Sequence, residues 1–249
     1  KLIPYNPAAE VERPKKDNFV ASYYSADELM EVLPIFANTK MELPVMLAAF
    51  YGLRRSEVCG LRWQDVDFEQ NTIYIRHKVL ETRINGQSEV MQTNELKTES
   101  SRRAFALVPT IRELLLKRRQ WTEENRKLWG DCYDHTYDEY IFTLADGSLL
   151  TPERVSDRFR GFIERHGFKK IRFHDLRHSC ATLLLHEGYT LQEIQVYLGH
   201  ATFQTTLRYA HLDAASKIAA SNCMEHLLGN GKNNANLHAA LPDRKRSSS

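Results

Sequence analysis

One β-branched run followed by the dipeptide Asn85-Gly86 interrupts a chain whose other apolar residues recur at helical spacing. That contrast limits the fold. Asn-Gly favours a two-residue hairpin, because the tight turn needs positive φ at both central residues. The run over residues 72–79 and a partner over 89–93 therefore predict a hairpin, and residues 103–108 a third strand. Elsewhere the pattern is helical. Ser25-Ala26-Asp27-Glu28 forms a capping box ahead of Leu29, Val32 and Leu33. Residues 41–53 are strongly apolar, residues 55–61 suit a short helix, and Pro109 suits the first turn of a helix over 110–127. Further helices are expected over 151–166, 174–187, 190–198, 203–209 and 213–228, after an irregular insertion at 130–148 with a short strand at 140–143. The fold class is therefore α+β, mainly helical, with a small three-stranded antiparallel sheet.

Length and punctuation divide the chain. The 249 residues, 42% of them hydrophobic, allow a sizeable core without staples. Residues 1–24 carry Pro4, Pro7 and Pro14 and read as a linker or strap. Residues 25–228 form the main domain, and residues 229–249, Gly/Asn-rich and then serine-rich, a disordered tail. The longest mostly apolar run, residues 43–53, falls short of the roughly 18 residues a bilayer span needs. Cys59, Cys132, Cys180 and Cys223 form no CxxC pair, which argues for reduced thiols in a cytoplasmic protein.

The net charge of +2 hides an asymmetry: residues 97–126 and 151–180 each carry +4. Two basic blocks suit a polyanion, although two solvated helix faces would look the same.

Four clusters carry chemistry. His174 and Arg177, three residues apart, would lie about 60° apart on a helix, a pairing that suits a phosphate. His200 and Tyr209 are nine residues apart and would face opposite sides of one continuous helix. They converge only if Gly199 ends one helix and Thr202 caps another. Arg54 and Arg55 follow the apolar helix, with Glu57 three residues after Arg54. Lys97 precedes a turn between strands, in Lys97-Thr98-Glu99-Ser100-Ser101-Arg102-Arg103. Taken singly, each has a plain explanation: a surface pair, a half-buried aromatic, a solvated charge.

In this order the clusters resemble the tyrosine recombinase (phage integrase) family, most of all integrases of conjugative transposons and temperate phages. Gly52-Leu53-Arg54-Arg55-Ser56-Glu57 matches its GLR-x-x-E segment and Lys97-Thr98 with Ser101 and Arg103 its KTxxSxR hairpin. His174 to Arg177 matches HxxR, Leu198-Gly199-His200 matches LGH, and Tyr209 stands nine residues on. The resemblance spans residues 20–228 and implies the family's catalytic fold. Residues 1–24 would then be the end of a missing N-terminal core-binding domain.

The resemblance implies that Tyr209 attacks a DNA phosphodiester to give a 3′-phosphotyrosyl link, in the integration or excision of a mobile element. A phenol with a pKa of about 10 is about a thousandth ionised at pH 7, so attack needs a base or a cationic field. His174 is the candidate base. Arg54, Arg177 and His200 would steady the charge on the phosphate, and Lys97 would protonate the leaving 5′-oxygen. Glu57 would orient Arg54, while Arg55, Arg102, Arg103 and Arg172 are candidate DNA contacts. No metal or other cofactor is required. The implied partner is double-stranded DNA, bound by a homo-tetramer that is monomeric when free, with no membrane and a nucleoid location.

Three alternatives compete. A metal site on His174 and His178 would seat Arg177 beside a dication and leave Tyr209 without a role. A non-catalytic helix-turn-helix-like regulator would explain the charge but not Lys97 or Tyr209. A type IB topoisomerase would share the chemistry.

Overall fold

The computed structural model describes residues 22–84, 87–93, 103–200 and 202–209. The expected helix over 213–228, the expected tail over 229–249, residues 1–21 of the expected strap over 1–24, the Asn85-Gly86 turn, Lys97 and Arg102 lie outside them.

Helix α1 (Ala26–Val32) opens at the expected capping box: the Ser25 hydroxyl accepts from the Glu28 amide at 3.2 Å, and the Glu28 carboxylate accepts from the Ser25 amide at 2.8 Å. Helix α2 (Glu42–Phe50) buries Leu43, Val45, Leu47, Ala48 and Ala49, so it runs through the core and not across its surface. It stops short of the expected end. Gly52 adopts a φ of +61°, and a Cβ there would stand 2.2 Å from Leu198 Cδ2. Both the turn and the close approach of a distant helix require glycine. Helix α3 (Arg55–Cys59) follows at once.

The sheet differs from the expectation in membership. Strands β1 (Val66–Asp67), β2 (Thr72–Ile75) and β5 (Arg103–Ala106) form an antiparallel sheet in the order β1-β2-β5, with Ile73 opposite Phe105. Strands β3 (Lys78–Ile84) and β4 (Gln87–Thr93) form a separate hairpin, in which Ile84 pairs with Gln87. The β-branched run is thus two strands, broken at Arg76-His77. The cause is tertiary. His77 turns inward, with Nε2 2.9 Å from both Tyr140 Oη and Arg62 Nη2. Gly60 lets this backbone press close, since a Cβ there would meet Lys78 Cα at 2.6 Å.

Helix α4 (Pro109–Trp129) starts on its proline, as expected. Its Arg118 is half-buried and donates to the carbonyls of Ile141 (2.9 Å) and Thr143, which pins the following insertion. The expected strand there is reduced to isolated bridges, Arg62 with Tyr140 and Thr143 with Leu149. Helix α5 (Pro152–Arg165) buries Val155, Phe159 and Ile163; Phe159 stacks on Phe36 and meets Phe173 edge-on. A 3₁₀ turn, Phe173–Asp175, leads into α6 (Leu176–His186), where one continuous helix was expected.

Helix α7 (Leu191–Leu198) ends at Gly199, which is left-handed (φ 65°, ψ 51°), and the chain breaks as its sequence requires. Thr202 then occupies the N-cap position of α8 (Phe203–Thr206), though its side chain makes no capping hydrogen bond. A 3₁₀ turn, Leu207–Tyr209, completes the described chain. Most of α1 to α6 shares one core. Cys180, Ala181, Ile194, Leu198 and Tyr209 form a smaller second cluster around α7. Among the described residues, no helix is long and apolar enough to cross a membrane.

Candidate active site

The C-terminus of α7 gathers the site. A helix end exposes carbonyls with no intrahelical donor and carries partial negative charge, so it attracts cations. Arg177 donates to Leu198 O at 2.6 Å and, from its other amino group, to Gly52 O at 2.5 Å. Arg54 reaches Gly199 O at 3.4 Å. The Leu-Gly-His motif therefore does more than supply His200: its first two carbonyls hold the two arginines. His200 follows directly. Its amide donates to Gln195 O at 3.1 Å, and its Nδ1 lies 2.8 Å from Thr206 Oγ1, which ties it to α8.

Glu57 organises the arginines from the other side. It accepts from Arg54 Nη1 at 2.7 Å and from the Arg54 amide at 2.9 Å, and from Arg103 at 2.9 and 3.2 Å. Burial alone would raise its pKa. The Arg103 guanidinium, followed by Arg54 and Arg177, overrules that and holds it at about 2. Burial pulls Arg177 down to about 9, with help from Arg54.

Tyr209 is buried, and its hydroxyl lies 2.5 Å from His178 Nδ1. His178, not His174, is the histidine within hydrogen-bond distance of Tyr209. In the sequence His178 stands out only as half of an alternative metal pair, and the candidate base is His174. His174 sits in the 3₁₀ turn before α6, and its ring meets His178 edge-on at 5.8 Å. Burial, then His178 and Arg177, lowers His174 to about 4; burial, then Arg177 and Arg54, lowers His200 to about 3. Both imidazoles are neutral at pH 7. The signal that could have found His178 is its place beside Arg177, which puts it within one turn of the same helix.

The candidate DNA contacts divide. Arg103 is turned inward onto Glu57, its side chain only 7% exposed, because the carboxylate is buried beneath it. Arg172 is largely exposed yet bound to Asp175 at 2.7 and 3.0 Å. Arg55 is exposed and donates to Ser156 Oγ at 3.0 Å. Much of the charge in the two basic blocks is likewise engaged internally: Arg118 on carbonyls, Arg126 on Glu123 and Asp138, Lys170 on Glu164. Among the described residues, no three His, Cys, Asp or Glu side chains gather as a metal site would require.

The fold is the mainly helical α+β fold of tyrosine recombinase catalytic domains. The Phage integrase family model matches residues 25–216, and the chain belongs to that family. It is 24% identical over 210 residues to a tyrosine recombinase XerC-like protein of Caldanaerobacter subterraneus, covering 82% of this chain and 54% of that one. It is 28% identical over 219 residues to the ICEBs1 integrase of Bacillus subtilis, covering 85% and 56%. The chain thus spans little more than half the length of these relatives. Among solved structures, the Tn1549 transposon integrase in complex with transposon right end DNA superposes with a TM-score of 0.65 at 21% identity, over 88% of this chain and 72% of that one. The XerA recombinase gives 0.60 at 23%, over 83% and 66%. These two share the fold.

Proposed function

We propose that the chain is the catalytic part of a site-specific DNA recombinase that cleaves and rejoins strands through Tyr209. The observation that carries this is the convergence at the end of α7, where Arg54, Arg177, His200 and Tyr209 meet from four separate segments. Tyr209 Oη attacks a phosphodiester, leaving a 3′-phosphotyrosyl bond and a free 5′-hydroxyl. Because the bond energy stays in the ester, rejoining needs no nucleotide. Arg54 and Arg177 offer their positive charge, and the N–H bonds not already given to Glu57 and the backbone carbonyls, to the non-bridging oxygens as charge builds there. Neutral His174 and His200 each offer a ring N–H. Lys97 supplies the proton that the departing 5′-oxygen takes up. Fixed cations thereby meet the charge that metal ions meet in other phosphoryl transfers.

The substrate is double-stranded DNA at a recombination site, engaged by a homo-tetramer, and the task is integration or excision of a mobile element. Relatives named ICEBs1 integrase and Tn1549 transposon integrase support that assignment. The test uses a pool of nicked duplexes with randomised centres, which lose a short fragment on cleavage and trap the adduct. The parent chain should yield a detergent-stable protein–DNA species with EDTA present, and mass spectrometry should place the nucleotide on Tyr209. Tyr209→Phe should bind DNA as the parent does and form no adduct. An adduct on another residue, or none from the parent, refutes the reading.

A further inference from the structure

We propose that Ser179 is a positioning residue for the phosphate clamp: its hydrogen bond to the Tyr24 amide fixes the first turn of α6, and with it Arg177, to the segment that leads into α1. The inference rests on the reading that Arg177 meets a DNA phosphate.

A hydroxyl at this point of the fold needs a reason. Ser179 is fully buried, between His178 and the buried Cys180 and Ala181. A serine hydroxyl inside a helix competes for backbone groups, and a buried one must find a partner. Its own helix offers little, since the bond to Asp175 O is 3.4 Å long. The stronger partner lies 155 residues back, where the Tyr24 amide donates to Ser179 Oγ at 3.0 Å.

The tie matters because this end of α6 has few holds of its own. The first four amides of a helix have no intrahelical acceptor. Asp175, at the N-cap of α6, gives it no side-chain hydrogen bond, because the carboxylate turns back to the Arg172 amide and guanidinium. Arg177 belongs to that uncapped turn, and Ser179 follows two residues later.

The far end of the tie is anchored. Tyr24 is buried, and its hydroxyl donates to Lys169 O at 2.6 Å. Burial, then Glu28, pushes that phenol up to about 12, so it remains a donor. Lys169 Nζ donates to Tyr23 O at 2.8 Å and to the Glu28 carboxylate at 3.1 and 3.2 Å, and Glu28 also closes the capping box of α1. A line of bonds thus runs from α1 through Tyr24 to Ser179. Arg177 grips Gly52 O and Leu198 O from a base held by that line. An arginine displaced by about 1 Å still binds a phosphate but meets the developing charge poorly, and a shift of that size costs about 10² in rate.

The experiment measures adduct formation by the full chain on the duplex selected from the randomised pool, and on the same duplex with a methylphosphonate at the scissile position. A methyl in place of one non-bridging oxygen removes the negative charge that the arginine meets. Ser179→Ala should slow adduct formation on the phosphodiester by about 10- to 100-fold with DNA binding unchanged, yet by less than about threefold on one of the two methylphosphonate diastereomers. Lys169→Ala, an exposed substitution that leaves the core filled, should slow the phosphodiester reaction by at least about threefold and add nothing in the Ser179→Ala background, because both act through Tyr24. Ser179→Ala as fast as the parent would overturn the proposal. So would equal slowing on the phosphodiester and on both methylphosphonates, the mark of a merely loosened fold, or effects of the two substitutions that multiply. If Ser179→Ala does not fold, Lys169→Ala and Tyr24→Phe carry the same test: each must slow the phosphodiester reaction and spare one methylphosphonate. Failure of the clamp reading looks different: no adduct from the parent, or Arg177→Ala as fast as the parent on the phosphodiester, removes that reading and this one with it.

Discussion

Glu57→Gln removes one charge and almost no volume, yet it should be among the most damaging substitutions in the chain. The carboxylate is 1% exposed and accepts four hydrogen bonds from two arginines. Breaking a buried ion pair by neutralising one partner costs about 3–5 kcal/mol, because the other charge is left stranded. The two arginines share this cost unequally. The Arg54 side chain is 33% exposed, so water screens it and its share is about 0–1 kcal/mol. Arg103, 7% exposed, carries the rest. With an m-value of about 3 kcal/mol per molar urea, the unfolding midpoint should fall by about 1 to 1.7 M. Glu57→Gln combined with Arg103→Met should recover much of the loss, since no buried charge then lacks a partner, and a double-mutant cycle should show strong coupling. Adduct formation should slow in Glu57→Gln as Arg54 loses its tether. A midpoint within about 0.3 M of the parent, or additive effects in the cycle, would refute the view that Glu57 and Arg103 act as one buried unit.

Gly52→Ala should destabilise the chain by about 2–4 kcal/mol, from the left-handed backbone and the overpacking of Leu198, as read by urea unfolding. Acid should act through the histidines. His174 near 4 and His200 near 3 stay neutral in the fold but gain protons in the unfolded chain below its ordinary 6.5. The fold is therefore fully stable with respect to them above about pH 6.5 and weakens as pH falls toward 4 and then 3. A thermal series from pH 7 to 4 should show a smaller drop for His200→Gln, whose imidazole is the buried one, than for the parent. Lys97→Ala should slow cleavage by about two to four orders of magnitude. A 5′-bridging sulfur, which leaves without a proton, should restore much of that rate; no restoration would remove Lys97 as the acid.

Local chemistry made much of this architecture legible in advance. The capping box at Ser25, Pro109 at the start of α4 and Gly199 at the end of α7 act within a few residues, and each stands where the sequence put it. What escaped the sequence depends on distant partners. The break at Arg76-His77 has no local signal; it follows from Tyr140 and Arg62 meeting His77 and from the bare Cα of Gly60. Strand β1 has two residues and is too short to show a period. Arg103 reads as a surface cation beside Arg102 until a buried carboxylate beneath it is known. His178 carried only the generic look of a helix-face histidine, because the hydroxyl that gives it meaning is 31 residues away.

The two carbonyls gripped by Arg177 make the site an interlock. Gly52 O belongs to the main core and Leu198 O to the small cluster around α7, so the guanidinium is seated only when both pieces are docked. Small clusters open more readily than the cores they lean on. If α7 swings away, the chain loses the Leu198 anchor of Arg177, the Gly199 contact of Arg54, the position of His200 and the wall behind Tyr209 in one event. A loosened molecule thus loses the whole arrangement at once and not one contact at a time.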